Sequence, residues 1–128
     1  MPKLSKTNRI YILGAMLWYI LIWVLSSMPS DSLPPVGELG LDKFAHISVY
    51  LLLAILVNQC IRSMSICTSK ANLIYMLLLL SAGLDELHQV FIPGRSLSIY
   101  DFLANAVGLC IGYALLHFSN RSESGDQS

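Results

Sequence analysis

Apolar residues along this chain gather into four long runs, Ile10–Met28, Phe44–Ile61, Leu73–Ile92 and Ile99–Phe118, each 18 to 20 residues long. A helix rises about 1.5 Å per residue, so about 20 residues cross a hydrocarbon core of about 30 Å. The pattern predicts four transmembrane helices and an all-α, integral-membrane four-helix bundle. A water-soluble bundle would need a polar face on every helix, and Ile10–Met28 (IYILGAMLWYILIWVLSSM) has neither a charged residue nor a polar stripe. A cleaved signal peptide is the other alternative, with Lys3, Lys6 and Arg9 before the run and Ser26 and Ser27 after it. The run is long for that role and carries Trp18, Tyr19 and Trp23, which favours an uncleaved first span.

The polar stretches between the runs set the connections. Residues 1–9 form a basic leader, residues 10–118 the membrane domain and residues 119–128 a polar tail. Between spans 1 and 2, MPSDSLPPVGELGLD carries three prolines and two glycines and predicts an irregular loop. Spans 3 and 4 are joined only by PGRSLS, which makes them antiparallel neighbours. In span 4, Ala104, Gly108 and Gly112 recur every fourth residue. Small residues at this spacing let helix backbones approach closely, within one bundle or in a homodimer.

Composition agrees with lipid as the solvent: 55% of residues are hydrophobic, 12% are charged, and mean hydropathy is +0.62. Net charge is zero, which gives no footing for nucleic acid. Six basic residues (Lys3, Lys6, Arg9, Arg62, Lys70, Arg121) fall on one side of the predicted topology and two (Lys43, Arg95) on the other. Basic loops stay cytoplasmic, so a multi-pass protein of the cell membrane with both termini cytoplasmic is predicted, with residues 31–43 and 93–98 outside. Cys60, Cys67 and Cys110 show neither metal-ligand spacing nor an even count for disulfides.

Three polar sets point to one membrane surface. Asp42, His46 and Tyr50 recur at i, i+4, i+8 in span 2, with Lys43 beside them. In span 3, Asp85, His88 and Gln89 share a face, and Glu86 pairs with Gln89 at i, i+3. In span 4, Asp101 and Asn105 continue the glycine stripe. Asp85, seven residues before Ile92, should lie roughly 10 Å below the end of its run. A carboxylate at such depth costs about 2.5 kcal/mol or more unless it faces the bundle interior. An outward-opening polar pocket between spans 2, 3 and 4 is therefore expected. Four carboxylates (Asp42, Asp85, Glu86, Asp101) meet two fixed cations (Lys43, Arg95), a deficit of two positive charges. Proton uptake, protonated histidine or a bound cation would each answer it. No cofactor is otherwise evident. A divalent metal, with candidate ligands His46, Asp85, His88 and Asp101, is one option, without support from a compact HExxH-type motif. Simpler roles stand beside these: Ser98-Ile-Tyr-Asp101 reads as a capping box, Asp42 as a cap, Pro93-Gly94 as a turn and Arg95 as a partner for Asp101 or Glu86.

The blocks DKFAHISVY and DELHQVFIPGRSLSIYDFLANAVGLCIG resemble the VanZ-like family, named after an accessory protein linked with teicoplanin resistance. The resemblance rests on Glu86 and Gln89 of E-x-x-Q, Arg95 of P-G-R, Asp101 and Asn105 of D-x-x-x-N, and Gly108 and Gly112. Asp42, Lys43, His46 and Tyr50 stand in the matching earlier block. The resemblance implies a multi-pass membrane protein and, for some members, reduced susceptibility to teicoplanin or related lipoglycopeptides; it implies no reaction. The reading is a membrane protein whose pocket recognises a cell-envelope precursor or lipid headgroup. Its candidate binding residues are Asp42, Lys43, His46, Glu86, Gln89, Arg95, Asp101 and Asn105. Asp85, Glu86, His88 and His46 are the candidates for acid/base work. Two rival classes remain: a metal-assisted enzyme acting on a lipid-linked substrate, and an assembly partner whose polar residues only lock helices together.

Overall fold

The computed structural model describes residues 4–32 and 41–125, with side chains to residue 119. It is built from four helices: α1 (Lys6–Ser26), α2 (Leu41–Ser63), α3 (Thr68–Gln89) and α4 (Ile99–Gly125), with one 3-10 turn at Ser30–Ser32. No strand occurs among the described residues. Most of the Pro- and Gly-rich connection between the first two runs lies outside them, as do the first three and last three residues.

Local chemistry sets the helix ends. Ser5 caps α1 by accepting from Asn8 N at 3.1 Å. Ser98 caps α4 by accepting from Asp101 N at 3.2 Å, while the Asp101 carboxylate is drawn elsewhere, so only half of the expected capping box forms. The α3 helix stops at Gln89. Past it the amides of Val90, Phe91 and Ile92 reach back three residues, to Leu87, His88 and Gln89, in tightened turns before Pro93. Asp85 therefore lies four residues from the end of α3, about 6 Å along its axis. At the other end of α4, no proline interrupts Asn120–Gly125, and the helix runs seven residues past Phe118.

The closest pairing joins α2 to α4, not α2 to α3, although only residues 64–67 separate those two. Gly108 and Gly112 make it so. A methyl group on Gly108 would strike the Ile47 carbonyl oxygen and lie 2.9 Å from Leu51 N, and one on Gly112 would strike Ala54 Cβ. Asn58 crosses the same seam, donating to Gly112 O at 2.8 Å and accepting from Tyr75 OH at 2.7 Å. The glycine stripe that sequence left open between bundle packing and homodimerisation is thus turned onto α2 of the same chain. Around this pair, α1 packs on α2 and α3 on α4, antiparallel as the short connection requires, while α1 and α3 touch only lightly.

The bundle is inverted relative to a water-soluble one. Leu13, Met16, Leu17 and Ile20 of α1 and Met76, Leu77, Leu80 and Leu84 of α3 face outward. Asp85 (2% exposed), Glu86 (1%) and Asn105 (0%) are inside. Water would not tolerate such an apolar exterior, whereas lipid requires it. α1, α2 and the Ile99–Ser119 part of α4 are long and apolar enough to cross a membrane. α3, whose last turns hold Asp85, Glu86, His88 and Gln89, is not among them. The chain is a membrane protein.

Candidate functional site

α2 and α4 are pressed together by glycine, leaving no space between them for a ligand. The gap opens instead where α1 and α3 barely meet. There a cavity of about 230 Å³ is lined by Ile22, Leu25 and Ser26 of α1, Asp42, His46 and Tyr50 of α2, Asp85 and Gln89 of α3, and Arg95. The pocket expected between spans 2, 3 and 4 is therefore corrected to one walled by α1, α2 and α3, since close α2–α4 packing excludes the fourth helix.

Each polar group on that wall is held from behind. Tyr50 OH donates to Asp85 Oδ2 at 3.3 Å, while the buried Asp85 Oδ1 has no protein partner. Gln89 Nε2 donates to Ser26 Oγ at 3.1 Å, tying α3 to α1. Arg95 neutralises neither Asp101 nor Glu86: its Nε donates to Met28 O and its Nη2 to Leu25 O, both at 3.3 Å. A cation on Leu25 O, in the last turn of α1, also meets the negative end of the helix dipole. The turn that presents Arg95 needs glycine: Gly94 has φ +75° and abuts Ser30, where any side chain would strike Ser30 Oγ. Ser30 N in turn donates to Pro93 O at 3.4 Å, joining the two connections.

On the far side of His46 lies a second polar group, facing α4. Lys43 Nζ donates to Asp42 Oδ2 at 2.6 Å and also to Asp101 Oδ1. His46 Nδ1 and Asn105 Oδ1 are 2.9 Å apart, and Asn105 Nδ2 donates to Glu86 Oε1 at 3.4 Å. Glu86 Oε2 is buried and accepts nothing.

The sequence candidates thus divide. Asp42, His46, Asp85, Gln89 and Arg95 meet at the cavity, whereas Lys43, Glu86, Asp101 and Asn105 join through hydrogen bonds beside it. Asp42 and His46 belong to both. His88 belongs to neither: its ring packs on Trp23 with centroids 5.4 Å apart. The candidate metal set changes accordingly, because ligand atoms within 4.8 Å of one another come from His46, Glu86 and Asp101, not from Asp85 or His88. Sequence reasoning missed Ser26 and the rest of the α1 wall. It also left Tyr50 out of the candidate binding residues, although its i+4 step from His46 marks the same face.

A family model described as VanZ/LLP1 matches residues 11–120. No curated protein and no solved structure matches the chain.

Proposed function

The chain belongs to the VanZ/LLP1 family, and on that premise we propose that it is a four-span protein of the cell membrane whose cavity receives the polar headgroup of a cell-envelope component. The carrying observation is the convergence of Asp42, His46, Tyr50, Asp85, Gln89 and Arg95 on one space inside a bundle with an apolar exterior. Its volume of about 230 Å³ is below the roughly 300–1,000 Å³ of sites for drug-sized ligands. That size suits a headgroup better than a whole glycopeptide, so on this reading a role in teicoplanin resistance runs through the envelope component and not through capture of the drug.

The six-to-two split of basic residues supports an outward-opening cavity, with α3 as the fourth span. Reporter fusions within residues 33–40 should read outside, and fusions at Lys70 inside. An outside reading at Lys70 would overturn the outward orientation.

The functional test is teicoplanin susceptibility of a host expressing wild type beside Arg95→Ala, Glu86→Gln and Asp101→Asn at matched protein levels. Wild type should lower susceptibility, and Arg95→Ala should return it to that of the bare host. If wild type changes nothing, this member has no resistance role. Full protection by all three variants would leave the assembly-partner reading.

A further inference from the structure

We propose that His46, Glu86 and Asp101 form a divalent-metal site on the α4 side of the cavity. The first support is donor chemistry: one imidazole nitrogen and two carboxylate oxygens, from three different helices, lie within 4.8 Å of one another. Imidazole with carboxylate suits zinc and similar ions. At bond lengths of about 2.1 Å, two ligand atoms on one zinc ion stand at most about 4.2 Å apart. His46 Nε2 and Asp101 Oδ2 are already 3.9 Å apart, so small side-chain adjustments close the set.

The second support is how each ligand is held. Asn105 Nδ2 faces a carboxylate oxygen, so its Oδ1 faces His46 Nδ1, which must donate. That tautomer leaves the Nε2 lone pair directed toward Asp101. Asp101 is anchored through Oδ1 by Lys43, which leaves Oδ2 on the side of His46. A metal-binding histidine whose other nitrogen donates to a carbonyl, and carboxylates each fixed by a further donor, are the outer-shell arrangement that metal sites require.

The third support is an unmet demand. Glu86 is 1% exposed and its Oε2 accepts no hydrogen bond. Lys43 is shared by Asp42 and Asp101 and Arg95 is bound to Leu25 O and Met28 O, so among the described residues no cation pairs with Glu86. An unpaired buried carboxylate is costly. A divalent cation answers it, and three protein ligands leave a coordination position for water or for a ligand in the cavity that His46 also lines. The site stands whether or not the cavity takes a lipid headgroup.

The test is calorimetric titration of Zn²⁺ into the full chain, purified in detergent and stripped with chelator. One saturable site per chain is expected, with a rise in melting temperature. Glu86→Gln, Asp101→Asn and His46→Gln should each weaken binding at least tenfold. His88→Gln, on α3 like Glu86 but outside the set, should leave it unchanged. If Glu86→Gln fails to fold, the other two substitutions carry the same expectation. Absence of saturable binding, or affinity unmoved by substitutions that fold, would overturn the site and leave protonation of Glu86 as the answer to its burial.

Discussion

Replacing Gly108 by valine is expected to force α2 from α4 and to destabilise the bundle by about 3 kcal/mol or more, at or above the top of the range for overpacked cores. The reason is what a side chain would meet. At Gly108 the obstacles are the Ile47 carbonyl oxygen and the Leu51 amide nitrogen, both backbone atoms of a regular helix, with no rotamer to adopt. Gly14 and Gly83 supply the comparison. A methyl group there would lie 3.9 Å from Leu56 Cδ2 and 3.6 Å from Phe102 Cε2, ordinary contacts with side chains. Alanine at either position should be neutral or stabilising, since glycine inside a helix costs about 0.5–1 kcal/mol relative to alanine. Thermal unfolding in detergent checks all three. A Gly108→Val protein melting with wild type would mean that α2 and α4 do not cross here.

Asp85→Asn is expected to separate stability from function. The carboxyl group is 2% exposed; Tyr50 satisfies one oxygen at 3.3 Å, and the other has no protein partner. An unsatisfied buried polar atom costs about 1–3 kcal/mol, and more when charged. Asparagine keeps the shape and an acceptor for Tyr50 while removing the charge, so melting should occur at or above the wild-type temperature. On the function proposed above, teicoplanin protection should nevertheless fall to the level of the bare host, because the unpaired oxygen is what a headgroup hydroxyl or ammonium would meet. Retained protection would exclude Asp85 from ligand contact. Joint loss of melting temperature and protection would make the carboxyl group structural. This variant complements Arg95→Ala, which also removes two bonds from the end of α1.

Much of the fold was legible because lipid imposes blunt constraints: run length set the helices, and PGRSLS set the α3–α4 pairing. The inward side of α1 was not legible. A helix apolar all round carries no period to show which face turns inward, so Ile22 and Ser26 were indistinguishable from lipid-facing or end-of-run residues. Span 3 shows a subtler limit. Asp85 and Glu86, adjacent and therefore about 100° apart around the helix, serve different places, one the cavity and the other the α4 network. Grouping Asp85 with His88 was right for the sequence spacing and wrong for the surroundings, because Trp23 takes the histidine ring. Arg95 was hard to place for another reason: its partners are backbone carbonyls, which no side-chain pattern marks.

The α2–α4 pairing also dictates an order of events during synthesis. Lys43, His46 and Asn58 of α2 find Asp101, Asn105 and Gly112 O only on α4, which emerges after both α2 and α3 have left the ribosome. Until then these polar groups lack those partners. The seam between α2 and α4 is therefore the last to close. A chain halted before Asp101 would retain three apolar helices and still present itself to quality control as unfinished.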